Sequence, residues 1–318
     1  MANIAITNYC NLKCPYCFAD DFVQESKENI TVEQLERILE FIGREPTHRI
    51  GIIGGEPTLH PQLKHILHLT QDFARQHDNI PIVIFTNGIN MDAFIKDIGP
   101  KLTVLVNLNE PEIIGEAYWK KILENLERLK ASGKIEHVNL GINLYPDIKN
   151  FEYILKVAKD MYKDSIRCSF VAPTCNYTHV NKDEYYLKAK EIFLKFLDKA
   201  EEYQIQLRLD CNHVPECYFT PEELERVNKL VDRWHAVCEP VVDITPDFRA
   251  TACFGSYDPV DLSQFETLSE AISYFKEEKM YPLQEKNDGG KCKECEKFQD
   301  KTCQGGCLAF ARYKVEEN

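Results

Sequence analysis

The sequence predicts an α/β fold built on a parallel sheet, followed by a smaller cysteine-rich region. Three observations carry this expectation. A strand-then-helix pattern repeats six times over the first 203 residues. The strand segments are short, apolar and rich in β-branched side chains. Near residue 204 the pattern stops, and the remainder is short-segmented and dense in cysteine.

The expected strands are Asn3–Thr7, Arg49–Ile53, Pro81–Phe85, Leu102–Val106, His137–Asn143 and Ser165–Val171. The expected helices follow each in turn at Thr31–Gly43, Pro61–His77, Met91–Ile98, Glu116–Ser132, Asn150–Tyr162 and Asp183–Tyr203. Two helix starts are legible residue by residue. Thr31 with Gln34 three positions later makes a capping box. Thr220 followed by Pro221 and two glutamates supplies a cap, a proline at the first helical position and acid in the first turn. Alternating strands and helices imply parallel pairing, with the ligand beyond the carboxyl ends of the strands. Past the break, Gln206–Leu209 reads as a strand, and a helix is expected from Pro221 to about His235. The division predicted is residues 1–203 and 204–318.

The 318 residues suffice for one large domain and a smaller one. Hydrophobic residues at 44% and charged residues at 28% are ordinary for a soluble globular chain. No apolar run reaches the ~18 residues of a membrane helix. Met1–Asn8 lacks the basic and apolar regions of a signal peptide. A cytoplasmic location without a membrane partner is therefore expected. Thirty-eight basic and 51 acidic residues leave a net charge of −13. Such a surface repels polyphosphate, so no nucleic-acid partner is expected and a neutral or basic substrate suits it better. Thirteen cysteines is an odd count and a high one. In a reducing compartment, clustered cysteines bind metal or do catalysis more often than they pair.

Cys10, Cys14 and Cys17 fall directly after the first strand, in the run Cys-Asn-Leu-Lys-Cys-Pro-Tyr-Cys. A cubane iron–sulfur cluster has four irons and usually takes four thiolates. Three thiolates leave one iron open to an outside ligand. A zinc loop is the plainer alternative. Gly54-Gly55-Glu56-Pro57 ends the second strand, where glycines allow close backbone approach and a free edge can bind an ammonium group. Thr86-Asn87-Gly88 ends the third strand and by itself reads as a turn. Asn107 and Asn109 end the fourth strand and Asn143 the fifth.

The Cys-x3-Cys-x2-Cys spacing, with Tyr16 beside the last cysteine, resembles the radical S-adenosylmethionine superfamily. The Gly-Gly-Glu-Pro and Thr-Asn-Gly elements match it in order and position. The resemblance covers residues 3 to about 175 and implies a partial (β/α)6 TIM-like barrel. It implies a [4Fe–4S] cluster at Cys10, Cys14 and Cys17, with S-adenosyl-L-methionine on the open iron. It further implies that Gly54, Gly55, Glu56 and Pro57 hold the methionyl amino group. Tyr16, Thr86, Asn87, Asn107 and Asn143 are carried over as cofactor-binding positions, the two strand-end asparagines toward ribose and carboxylate. The chemistry implied is a 5′-deoxyadenosyl radical that abstracts hydrogen from a substrate.

The C-terminal cysteines have their own pattern, Cys292-x2-Cys295-x7-Cys303-x3-Cys307, preceded by Cys238 and Cys253. This is similar to the SPASM extension, which adds auxiliary [4Fe–4S] clusters to radical enzymes that mostly modify peptides. The chain departs from that pattern in three places. Phe248 stands where the extension carries a glycine, the Cys295–Cys303 spacing is long, and no cysteine follows Cys307. The expected ligand sets are Cys217, Cys238, Cys253 and Cys307 for one cluster, and Cys292, Cys295 and Cys303 with an open iron or non-cysteine ligand for the other. Cys211 is a substitute. A single cluster, as in twitch domains, and a zinc ribbon are the alternatives. Cys168 and Cys175 read as barrel-lining or core residues. His60, His65 and His68 read as surface or packing residues.

No acid–base residue is assigned, so the catalytic set is unknown. Arg167, Asp210 and Glu216 are placed at the barrel mouth, and Phe254 excludes a base directly after Cys253. The expected function is oxidation or cross-linking of a peptide or protein side chain. The alternative is a radical dehydrogenase or epimerase of a sugar or amino-acid derivative. A non-catalytic scaffold has no use for a methionine-binding edge. Expected partners are the peptide or small-molecule substrate and an electron donor such as flavodoxin or ferredoxin. Strand one begins at residue 3, so a leader peptide is expected to need either a separate peptide-recognition protein or direct recognition by the barrel surface.

Overall fold

The computed structural model describes residues 1–25, 27–171, 181–211, 214–232, 236–288 and 290–313. One ten-stranded sheet organises it, in the spatial order β10-β9-β8-β1-β2-β3-β4-β5-β6-β7. The strands are β1 Ala2–Ala5, β2 Ile50–Ile53, β3 Ile82–Thr86, β4 Leu102–Asn107, β5 Val138–Leu144, β6 Ser165–Phe170 and β7 Gln206–Leu209. The last three are β8 Val242–Ile244, β9 Arg249–Thr251 and β10 Val260–Asp261. From β8 through β1 to β7 every pairing is parallel. Among the described strands, β8–β9 and β9–β10 are the antiparallel pairs.

All six expected strands of the first region are present. The seventh, Gln206–Leu209, pairs in parallel with β6 and so extends the sheet past residue 203. At the other end β8 lies along β1, with Ala2 opposite Val242 and Ile4 opposite Ile244. The cysteine-rich region thus grows out of the edge of the same sheet.

The strands are sided. Asn3, Phe85, Asn107, Asn143 and Arg167 are partly open and alternate with buried apolar neighbours such as Ile4, Ile84, Val106, Ile142 and Ile166. Period-two alternation sends one set to an internal cavity and the other under the helices. The helix Val32–Ile42 buries Leu35, Ile38, Leu39 and Ile42, a 3.6-residue stripe against the sheet. Its capping box is formed: the Thr31 hydroxyl accepts from the Gln34 N–H at 3.2 Å, and the Gln34 amide oxygen accepts from the Thr31 N–H at 2.8 Å. Helices Leu63–Gln76, Glu116–Ala131, Glu152–Asp160 and Lys182–Glu202 follow as expected, within a few residues.

Two expectations are corrected. Met91–Ile98 is a series of turns and not a helix. Its buried Met91, Phe94, Ile95 and Ile98 have helical spacing, and local bonds form from Phe94 N–H and Ile95 N–H to the Met91 carbonyl. Eight residues between an Asn-Gly turn and Gly99-Pro100 give too few propagating bonds to repay nucleation. The helix expected to reach His235 ends at Leu230. Val231 turns extended and bridges to Leu207 of β7, and the Asp232 N–H bonds the Leu207 carbonyl at 2.9 Å. Sheet pairing there outcompetes another helical turn. Cys175 lies outside the described residues.

Thr31→Ala removes the side-chain half of a formed capping box, the hydroxyl that accepts from the Gln34 N–H. A loss of about 1 kcal/mol in unfolding free energy is expected, read from the denaturation midpoint at unchanged slope.

Candidate functional site

A cavity of about 1070 Å³ runs along the inside of the sheet and opens at its carboxyl end. Ile53, Thr86, Asn107, Asn143 and Leu209 line it from the strand ends. Among the described residues eleven cysteines line it, and Cys168 does not. Cys168 is fully buried on β6 in the apolar core.

The Cys10–Cys17 loop leaves β1 and is clamped by the turn after β2. The Gly55 N–H donates to the Thr7 carbonyl at 2.8 Å, and the Glu56 N–H donates to the Tyr9 carbonyl at 2.7 Å. A Cβ on Gly54 would stand 2.3 Å from the Thr7 oxygen, and one on Gly55 2.4 Å from the Tyr9 oxygen. These glycines therefore let two pieces of backbone lie against each other beside the cavity, in addition to any approach they allow a ligand.

Glu56 is the knot of the mouth. Its carboxylate accepts from the Thr58 N–H at 3.1 Å, the Thr58 hydroxyl at 2.6 Å, the Thr86 hydroxyl at 2.7 Å and the Asn87 N–H at 2.8 Å. Burial raises its pKa, and the same donors pull it down. Asn87 in turn donates to the Asn11 side-chain oxygen at 2.8 Å, which reaches the cysteine loop. Tyr16 is buried, stacks on Tyr145 at 4.7 Å, and donates to Asn109 at 2.7 Å. Tyr16 thus fixes the loop from below.

On the opposite wall, Arg167 gathers the strand-end asparagines. Its Nε pairs with Asp210 at 2.5 Å, and its Nη1 lies 3.3 Å from the Asn107 Oδ1 and 3.5 Å from the Asn143 Oδ1. Burial works against the Arg167 charge, but Asp210 outweighs it and the pKa lies above the ordinary value. Arg167, Asp210 and Glu216 all line the cavity, as expected from sequence. His60 is buried with its Nε2 3.0 Å from the Ile30 carbonyl, whereas His65 and His68 are exposed on their helix.

Sequence reasoning missed Asp243. It sits on β8, 6% exposed, lines the cavity, and accepts from the Asn3 amide at 2.7 Å. Burial pushes its pKa up to about 7, against the Asn3 amide and the Phe254 N–H. Phe254 itself is buried against Phe22 and Tyr257, as an apolar residue there should be. An acid does stand near Cys253, but it comes from a neighbouring strand. Only the pairing of β8 with β1 could have revealed it.

The cysteines fall into three neighbourhoods. Burial raises the Cys14 pKa to about 12, and the Cys17 and Cys10 thiolates add to it. The Cys217 pKa is raised by burial and then by Cys292, Cys303 and Cys295. That of Cys307 is raised by burial and then by Cys238, Cys253 and Cys211. Cys211, Cys217 and Cys253 present surface to the cavity while protein encloses them. Among the described residues, no three His, Cys, Asp or Glu side chains converge on a position for a single metal ion. Thiolates that destabilise one another in this way suit a multinuclear, positively charged iron–sulfur core, and the Cys10 loop fits it with three donors of the right chemistry beside a glycine-clamped edge.

Residues 4–161 match the model of the Radical SAM superfamily. A GTP 3′,8-cyclase of Vibrio vulnificus is 26% identical over 163 residues, 47% of this chain and 47% of that protein. The chain spans about half the length, or less, of the curated relatives it matches. Streptococcus suis SuiB bound to precursor peptide SuiA shares the fold at a TM-score of 0.66 and 15% identity, over 100% of this chain and 73% of that one. Native anSMEcpe with bound AdoMet and Kp18Cys peptide shares it at 0.67 and 18%, over 99% and 94%. No helix among the described residues is long and apolar enough to cross a membrane.

A carboxyl with a raised pKa holds a proton in the folded protein that the unfolded chain has lost. Its favourable contribution is complete below the ordinary carboxylate pKa and disappears as pH rises through about 7. Asp243→Asn keeps the shape without the charge. The fall in thermal midpoint between about pH 5 and about pH 8 should therefore be smaller in the variant, by on the order of 2 kcal/mol of stability. Equal falls in both proteins would remove Asp243 from the pH response.

Proposed function

The chain is a member of the radical SAM superfamily, and on that premise we propose that it modifies a peptide or protein side chain by oxidation or cross-linking. The observation that carries the chemistry is the three-cysteine loop clamped by Gly54-Gly55 at the mouth of one large cavity. When bound, the [4Fe–4S] cluster and S-adenosylmethionine supply a 5′-deoxyadenosyl radical that takes hydrogen from substrate, and auxiliary clusters supply an electron acceptor.

In this reading Cys10, Cys14 and Cys17 hold the cluster. The edge from Gly54 to Pro57 meets the methionyl amino group, with Glu56 setting its position through Thr86 and Asn87. Asn107 and Asn143 face the cofactor across the cavity, oriented by Arg167. Cys238, Cys253, Cys307 and the Cys292–Cys303 group serve auxiliary clusters. Residues 1–203 act as the core barrel and 204–318 as the auxiliary region, sharing β7 and β8 with the one sheet. An electron donor such as flavodoxin or ferredoxin completes the scheme.

The peptide reading is supported by likeness in fold along the whole chain to two proteins crystallised with peptides. The GTP 3′,8-cyclase similarity favours a second reading, in which the substrate is a small molecule such as a sugar or amino-acid derivative.

Anaerobic reconstitution with dithionite and S-adenosylmethionine tests the chemistry. The wild type is expected to form 5′-deoxyadenosine, and Cys14→Ala to form none. Equal yields from the two proteins would end the radical reading. Peptides that accelerate formation and emerge two hydrogens lighter support the first substrate class; acceleration by small molecules alone supports the second.

Gly55→Ala puts a methyl group 2.4 Å from a backbone oxygen that cannot retreat without moving the cysteine loop. Affinity for S-adenosylmethionine should fall by at least about tenfold, roughly 1.4 kcal/mol, in equilibrium binding to the reconstituted protein. Unchanged affinity would show that the edge bears no load in binding.

A further inference from the structure

The segment from Cys211 to Cys217 lies between the two C-terminal groups of thiols. Cys217 sits in the single turn Glu216–Tyr218. Glu216 pairs with Lys297 at 2.8 Å, and Lys297 lies in the short helix Glu296–Gln299 that begins directly after Cys295. The Lys297 carbonyl accepts from the Cys303 N–H at 2.7 Å. Gly305 then joins Cys303 to Cys292: its N–H lies 3.4 Å from the Cys303 sulfur, and a Cβ on it would stand 3.2 Å from the Cys292 sulfur. Glu216, Lys297, Cys303, Gly305 and Cys292 are thus one continuous patch with Cys217 at its edge. On the other side, Tyr218 packs on Tyr186 at 5.3 Å, which holds the turn in place.

The remaining thiols are organised by Gln304. Its amide nitrogen lies 2.8 Å from the Cys238 sulfur, and its oxygen accepts from the Cys238 N–H at 2.7 Å. The Cys307 N–H donates to the Tyr186 hydroxyl at 2.7 Å. Cys211 and Cys253 line the same cavity, and each of Cys211, Cys238 and Cys253 is near enough to Cys307 for its charge to act there.

We propose that Cys217 is the fourth ligand of the cluster held by Cys292, Cys295 and Cys303, and that Cys211 is the fourth ligand of the cluster held by Cys238, Cys253 and Cys307. This rests on the radical-enzyme reading and deepens it. Cys217 lies far upstream of the three, on the turn that leads into helix Pro221–Leu230. Both auxiliary cubes are then closed by four thiolates, and neither offers an iron to a substrate heteroatom. Substrate is therefore held by protein side chains alone, and the auxiliary clusters carry electrons.

The test counts iron in a Cys10/Cys14/Cys17→Ala parent, reconstituted anaerobically, so that only auxiliary clusters contribute. The parent should hold about eight irons, at roughly four per cubane. Cys217→Ala should lose or alter the electron paramagnetic resonance signal of the cluster that Cys292→Ala alters. Combining the two should change nothing further, whereas Cys217→Ala with Cys238→Ala should disturb both signals. Cys217→Ser, with an oxygen in place of sulfur, should retain iron with a shifted spectrum. The assignment is overturned if Cys217→Ala leaves both signals as in the parent, or if it disturbs the signal that Cys238→Ala disturbs. A parent without auxiliary iron overturns it too. The radical reading is judged separately, by 5′-deoxyadenosine from the protein with Cys10, Cys14 and Cys17 intact.

Discussion

Everything at the cavity mouth depends on two backbones lying in direct contact, Gly54-Gly55 on Thr7 through Tyr9. The two N–H bonds across that contact are made at 2.7 and 2.8 Å, closer than any side chain would allow. Because β1 and β2 are hydrogen-bonded neighbours, their carboxyl ends arrive together, and the contact continues the sheet pairing into the loops. The Glu56 carboxylate then ties the next strand end, Thr86-Asn87, to the same point. Three motifs far apart in sequence become one rigid rim. A cluster loop needs such a frame, since three thiolates held loosely would not face one core.

The same sheet explains why the cysteine-rich region is not an appendage. β8 pairs along β1, the strand from which the Cys10 loop springs, so Asp243 and Cys253 are brought to the wall beside that loop. The hairpin that follows turns at Phe248, with φ of 63°. That is the left-handed region, which glycine adopts at no steric cost and other residues adopt at about 1–2 kcal/mol. The Phe248 ring offsets the cost by packing on Phe41 and under the Arg37 guanidinium at 3.8 Å. A residue other than glycine thus holds the left-handed turn here, and side-chain burial supports it.

Much of this was legible in sequence because it rests on local chemistry. Strand runs of β-branched residues, the Thr31 and Thr220 caps and the three-cysteine spacing each have a near-neighbour cause. What was not legible rests on pairings between distant segments. The Met91–Ile98 stripe has helical spacing, yet its length and flanking turns decide against a helix. The acid near Cys253 could not be found by looking one residue along, because it is delivered by β8. The grouping of Cys217 with Cys292, Cys295 and Cys303 has no signature in spacing. It is read from contacts that form on folding, among them Glu216 to Lys297, the Cys303 N–H to the Lys297 carbonyl, and Gly305 between Cys303 and Cys292.

The electrostatics of the cavity carry the argument one step further. Most of the thiols around it have pKa values raised by burial, and in each group neighbouring sulfurs raise them more. Without iron these groups favour neutral thiols, and the walls are held by packing and by bonds such as Gln304 to Cys238, Cys307 to Tyr186, Gln284 to Cys303 and Lys297 to Glu216. Metal ligation requires thiolates, and the cost of exposing them to one another is offset only by the charge of the iron core. An iron core bound there would displace protons from these thiols, so its affinity would rise with pH. The clamped Cys10 loop is different: its frame is made by sheet pairing, glycine contact and Glu56, all of which are complete in the protein alone. The rim is thus preorganised, with its glycines, carboxylate and strand ends already in contact.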